Sequence, residues 1–243
     1  MTEAERLAGI VISPAKTFED INRRPSWVIP FVLLLIFNSA ITFVVYRVLV
    51  TPSNFESVAT AKVQWDASES GKELTQADLQ QQVDAVRRAR ERWYILPLYA
   101  VLVSTLGLSA FFYVLLRLAR AKPAFIKVFS VVCWAFVIYR CIGGSFTLIA
   151  LLVHGSANFI PAPDEAWSPT SLAQVVARNS VGPNVYSAIS KLDVFLVWWL
   201  AILAIGFAKV SRGLSLTRSA LLIAGSEVLY LIANAAGWLR GVS

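Results

Sequence analysis

Several stretches of this chain stay apolar long enough to leave water altogether, and that property restricts the fold more than any motif. A helix needs about 20 consecutive, mostly apolar residues to cross the hydrocarbon core of a bilayer. The run "WVIPFVLLLIFNSAITFVVYRVLV", residues 27–50, is the first such stretch; others cover about 93–116, 125–153, 192–208 and 219–238. In lipid every backbone N–H and C=O must be paired within the protein, which leaves helices or closed barrels. The apolar–polar alternation of barrel strands is absent. The expected fold class is therefore all-α integral membrane, a five-transmembrane-helix bundle. Composition agrees, with 57% hydrophobic and 15% charged residues, where soluble domains carry about 25% charged.

Two regions follow from this division. Residues 1–26 form a charged N-terminal segment, and 27–243 form the membrane domain with extramembrane loops at 51–92 and 154–191. The third run is long and carries Arg140 ahead of Gly143 and Gly144, so it either tilts or bends at the glycines. The loops read as helical. Thr75 and Asp78 have capping-box spacing ahead of an apolar-periodic stretch that feeds the second span. Ser168 and Pro169 start a short helix to about Arg178, and Pro183 starts another before the fourth span.

The net charge of +7 sits mostly beside the apolar runs, the arrangement of topology determinants and not of a nucleic-acid site. Arg6, Lys16, Arg23 and Arg24, then Arg117, Arg120, Lys122 and Lys127, then Lys209, Arg212 and Arg218 all fall on one side of five crossings. They outweigh Arg178, Lys191 and Arg240 opposite. The cluster of Arg87, Arg88, Arg90 and Arg92 opposes this, but it lies in a long, acid-balanced loop, where charge directs topology less. The expected orientation is N-terminus cytoplasmic and C-terminus outside.

Within "SPAKTFEDINRRPSWVIPF", apolar and charged positions separate onto different sides of a helix. Leu7, Ile10, Val11, Phe18 and Ile21 recur at helical spacing, and Ser13-Pro14 divides the segment into two short helices. Such an N-terminal amphipathic helix lies in the headgroup plane, with Phe18 and Ile21 downward, Arg23 and Arg24 among anionic heads, and Trp27 at the interface. Pro25 disfavours helix at Arg24, which permits a corner into the first span. Pro30 falls in the first turns, where a missing amide donor costs little. The segment either fixes the first span or serves to sense the bilayer or dock a partner.

Four ionisable residues sit within or beside the apolar runs: Arg47, Arg140, Asp193 and Glu227. At mid-bilayer each costs about 2.5–3.5 kcal/mol on insertion scales, so each needs a partner or water. By depth, Arg140 and Glu227 are expected to pair, tying the third and fifth spans, and Arg47 and Asp193 to pair near the outer boundary. Two uses compete with packing: a transport role, with Glu227 loading a proton or cation, and contact with lipid headgroups on the lumenal side. No catalytic constellation appears, because nucleophile elbow, Walker loop, zincin and dinucleotide motifs are all missing. No cofactor or metal is expected from a single histidine and two cysteines. Cys133 and Cys141 lie about 12 Å apart along one helix, beyond disulfide reach.

Two motifs carry a resemblance. The stretch "VISPAKTFEDINRRPSWVIPF", through Pro14, Phe18, Ile21, Pro25, Trp27 and Pro30, resembles the N-terminal signature of the bacterial branch of the Yip1 domain family. The stretch "LDVFLVWWLAILAIGFA", through Leu192, Asp193, Phe195, Trp198 and Gly206, is similar to a later segment of that family. The resemblance implies a five-span fold with a cytoplasmic N-terminus. The Rab-binding signature of eukaryotic relatives is absent, so Rab-type GTPase binding does not carry over. Three functions follow as expectations: a non-enzymatic scaffold or membrane-organising subunit, a small transporter or channel, or an accessory subunit of a larger complex. Expected partners are the lipid bilayer, other membrane proteins or a second copy, and no nucleic acid.

Overall fold

The computed structural model describes residues 1–50, 54–70, 73–89, 96–154, 168–177 and 180–236. Among these the regular structure is helical. In chain order the helices are α1 (Glu3–Ile12), α2 (Pro14–Arg23), α3 (Val28–Val44), α4 (Phe55–Ser70), α5 (Gln76–Ala89), α6 (Leu96–Leu118), α7 (Phe125–Phe136), α8 (Gly144–His154), α9 (Pro183–Ser190), α10 (Val194–Val210) and α11 (Leu216–Ala235).

Among the described residues, three helices are long and apolar enough to cross a membrane: Leu98–Leu118, Phe125–Val153 and Leu216–Ala235. The second is continuous across the π-helical segment Val137–Gly143, which joins α7 to α8 without a break at the glycines. A fourth crossing arises if the bent pair α9 and α10 counts as one span. Helix α3 is apolar but only 17 residues long, and a π-helical turn, Val45–Leu49, carries it further. The expected start of the second span at Trp93, the arginines at 90, 92 and 178, and Gly237, Trp238 and Arg240 lie outside the described residues.

Local sequence explains the helix ends. Thr2 and Glu5 cap α1 reciprocally, with Glu5 N–H donating to Thr2 Oγ1 at 3.2 Å and Thr2 N–H to Glu5 Oε2 at 2.8 Å. Pro14 occupies the first turn of α2, where its missing donor is harmless. Arg24 ends α2 in an extended conformation, φ −134° and ψ 85°, as the following Pro25 requires. Asp78 N–H donates to Thr75 Oγ1 at 3.2 Å, and the Asp78 carboxylate accepts from the Thr75 N–H and hydroxyl. These hydrogen bonds hold that carboxyl below its usual range. At Ser168–Pro169 the chain departs from expectation. It makes a turn and then a 3-10 helix, Leu172–Gln174, capped by Ser171, with no longer helix through residue 177. The Ser171 hydroxyl donates to Ser190 O at 2.9 Å and Leu172 N–H to Leu192 O at 2.8 Å, which ties this short piece to the end of α9.

The chain divides into two compact units, each assembled from separate stretches. One comprises Met1–Asn38, Pro97–Gly143 and Phe195–Val228. Its interior holds Phe18, Ile21, Val131, Trp134, Leu203 and Phe207, all fully buried. Thr105 and Ser109 are buried and return their hydroxyls to Val101 O and Thr105 O at 2.6 Å each. The other unit comprises Ser39–Leu96, Gly144–Val194 and Leu229–Ser243. There α4 and α5 close over Val50, Phe55, Val58, Val63 and Val83, and an Arg87–Glu56 ion pair spans the hairpin.

Candidate functional site at the N-terminal helical pair

Helices α1 and α2 form a hairpin around one buried cation. Arg6 is 3% exposed although its position on the helix reads as polar. Its Nε donates to Asp20 Oδ2 at 2.8 Å, Nη2 to the same oxygen at 2.6 Å and to Arg24 O at 3.2 Å, and Nη1 to Glu3 Oε1 at 2.7 Å. A guanidinium can satisfy several acceptors in one plane, which is why arginine suits this position. The bond from Arg6 is the leading reason the Asp20 carboxyl is held below the usual carboxylate range. Glu3 extends the network, because the Ser26 hydroxyl donates to Glu3 Oε2 at 2.8 Å. One side chain thus joins α1, α2 and the corner that leads to α3.

The hairpin is docked on α7 and α10 by apolar and polar contacts together. Phe18, Ile10 and Ile21 have no exposed surface. Burying a side chain of that size contributes about 1.5–3 kcal/mol. Phe18 lies against Gly206 of α10, where a Cβ would stand 3.0 Å from Phe18 Cζ and 2.5 Å from Val131 Cγ1. Around this contact Asn22 bridges two helices: its Nδ2 donates to Lys209 O at 3.0 Å and its Oδ1 accepts from Lys127 Nζ at 2.5 Å. Lys209 Nζ meets Glu19 Oε1 at 2.5 Å, which holds Glu19 below its ordinary value. Trp134, fully buried on α7, donates from Nε1 to Ser26 O at 2.9 Å.

The predicted interfacial residues are therefore divided. Phe18 and Ile21 turn into the protein, while Arg23 and Arg24 are exposed. Trp27 is half-buried, edge-on to Phe129 with centroids 5.4 Å apart and to Phe31 at 6.1 Å. Exposed apolar side chains remain nearby at Val11, Ile12, Val28 and Ile29. Among the motif positions Pro30, Phe195 and Gly206 are buried, Pro14, Leu192 and Trp198 are half-buried, and Pro25 is exposed. Phe195 packs against Gly143, where a Cβ would stand 3.0 Å from its ring.

The ionisable residues of the apolar runs take these positions. Arg140 is exposed, with its guanidinium over the rings of Phe136 and Tyr139 at 5.7 and 6.0 Å. Arg47 is exposed over Phe43 at 5.9 Å. Asp193 is half-buried in the break between α9 and α10, and Glu227 is half-buried on α11. Arg6, Asp20, Asn22 and Trp134 escape the sequence reading, since helical periodicity assigns the first three to a polar side and the fourth to a uniformly apolar run.

The model of the Yip1 domain fits residues 8–237, from within α1 to the end of the fifth apolar run. No curated protein and no solved structure matches the chain.

Proposed function

The chain belongs to the Yip1 domain family and is a multi-pass membrane protein, and on that premise we propose that it is a non-enzymatic scaffold. It organises membrane partners through its spans and the docked N-terminal hairpin. The observation that carries this reading is the rigid seating of α1 and α2. Buried Arg6, Phe18 inside the Gly206 notch and the Asn22 bridge hold the hairpin in one pose. A segment fixed in this way presents one constant surface, with Lys16, Arg23 and Arg24 outward. That suits recognition better than chemistry. The partner class is another integral membrane protein or a second copy, together with the lipid bilayer.

The membrane part crosses five times. The three long helices, the bent pair α9 and α10, and α3 with its π-helical extension supply the crossings. The N-terminus faces the cytoplasm and the C-terminus the outside of a bacterial cytoplasmic membrane, as the Lys and Arg distribution favours. The test is cysteine labelling in intact cells, in a background lacking Cys133 and Cys141. A cysteine at Ala8 should resist an impermeant maleimide until the cells are opened, and one at Ser243 should react at once. Photo-crosslinking from position 16 or 23 should give a discrete adduct with a membrane protein. Labelling of Ala8 from outside, or crosslinks to lipid alone, would refute the topology or the scaffold role respectively.

A further inference from the structure

Phe43-Val44-Val45-Tyr46-Arg47 in the first apolar run and Phe136-Val137-Ile138-Tyr139-Arg140 in the third are one block written twice, differing only at Val45 and Ile138. The two copies share three structural features. Each runs into a π-helical segment, Val45–Leu49 and Val137–Gly143, a form that frequently marks functional positions. In each the guanidinium carbon lies over the ring of the phenylalanine four residues earlier, 5.9 Å from the centroid for Arg47 and 5.7 Å for Arg140, and both arginines are exposed. A guanidinium held over a ring still carries N–H donors that suit an acceptor with two oxygens. An exposed cation in an apolar run needs such an acceptor.

We propose that each block binds the phosphate of an anionic phospholipid headgroup. The proposal rests on the five-crossing reading, which runs the first and third spans in the same direction and so brings both arginines toward the outer leaflet. Along the helix Arg47 lies about 28 Å beyond Val28 and Arg140 about 22 Å beyond Phe125. The hydrocarbon core is about 30 Å thick, and a long side chain covers the remainder by snorkelling. A phosphate diester then accepts a bidentate pair of charge-assisted hydrogen bonds from the fork. The two platforms differ. Phe136 is buried and stacked on Trp199 with centroids 5.7 Å apart, whereas Phe43 is 54% exposed. Arg140 is the more firmly held, and its block binds the lipid more tightly.

The full chain in nanodiscs of phosphatidylcholine, titrated with phosphatidylglycerol and read by native mass spectrometry, tests this. The wild type should retain phosphatidylglycerol preferentially. Arg140→Gln should weaken retention roughly tenfold, as loss of a charge-assisted hydrogen bond implies, and Arg47→Gln should weaken it less. Arg140→Lys and Arg47→Lys keep the charge without the fork and should fall between; they also stand in if a glutamine variant fails to insert. Unchanged retention in folded variants would overturn the proposal, and so would full displacement by millimolar inorganic phosphate. Glu227→Gln reproducing the Arg140→Gln loss, with no further loss in the double variant, would make Arg140 a partner of Glu227 instead. Failure of the five-crossing reading shows separately, in the cysteine labelling, which is indifferent to lipid.

Discussion

Phe18 fills the space that a side chain at Gly206 would need. The ring comes from the N-terminal stretch and the glycine from the fourth apolar run, so two motif positions far apart in sequence form one contact, 3.0 Å from a Cβ built at Gly206 to Phe18 Cζ. Gly206→Ala should force the ring or Val131 to move, at about 1–3 kcal/mol. Phe18→Ala should leave a cavity, at about 3–5 kcal/mol. Melting in one detergent, with limited proteolysis between α2 and α3, reads both. The double variant should lose less than the two single losses combined, because removing the ring gives the added methyl group room on one side. Losses that add within about 0.5 kcal/mol would mean that the two residues do not meet.

Arg6→Met should loosen the hairpin more than any other single change in α1. It removes the common partner of Glu3 and Asp20 while leaving both carboxylates in place. Breaking a buried ion pair from one side costs about 3–5 kcal/mol. The Asp20 side chain keeps 21% exposure, so water recovers part of this, and about 2–3 kcal/mol is expected. Asp20→Asn should cost less, since a neutral amide oxygen still accepts from Arg6. Thermal melting ranks the two, and the reverse order would show that Asp20 is held chiefly by its other partner, the Met1 ammonium at 3.3 Å, and not by Arg6.

The same pair sets a pH response. The folded Asp20 carboxyl lies below its ordinary value, chiefly through the bond from Arg6, and Glu19 lies below its own through Lys209. A depressed folded pKa stabilises the docked state fully above the unfolded value, about 3.9 for aspartate, and that stability is lost as pH falls through the folded value. Protease sensitivity of the α2–α3 corner should therefore be flat between about pH 5 and 8 and rise only in stronger acid. Arg6→Met should shrink the acid rise without abolishing it, because Asp20 loses its chief partner while the Met1 ammonium and the Glu19–Lys209 pair remain. A transition near neutrality would contradict the assignment.

Much of the architecture is legible in the residues because lipid imposes a length rule. The run from Phe125 to Val153 is one continuous helix in both readings. Caps are legible too: Thr75 with Asp78, and Pro14 and Pro183 in first turns, act through local chemistry. The site is less so. Periodicity identifies the apolar side of α2 but not what covers it: Phe18 packs against Gly206 of α10 and Ile21 is fully buried, where the pattern alone places a membrane surface. Arg6 defeats the pattern altogether. Its burial depends on Asp20, fourteen residues away and on a different helix, and no helical period connects them. The duplicated Phe–Arg block is visible in the letters, but five residues are far fewer than the 20–50 of an architectural repeat.

At Ser26 the corner between α2 and α3 makes two hydrogen bonds of different kinds, and two substitutions there should have unequal effects. Trp134 reaches across from α7, and its Nε1 donates to Ser26 O at 2.9 Å from a fully buried ring. Trp134→Phe removes that donor, leaves the carbonyl unpaired, and opens space in the interior. An unsatisfied group of this kind costs about 1–3 kcal/mol before any cavity is counted. Ser26→Ala removes only the hydroxyl that donates to Glu3, whose other oxygen keeps Arg6, so about 0.5–1.5 kcal/mol is expected. Trp134→Phe should free the corner from the span and speed cleavage there, whereas Ser26→Ala should leave cleavage nearly unchanged. Equal cleavage rates would place the restraint in the Arg6 network and not in the bond that crosses to α7.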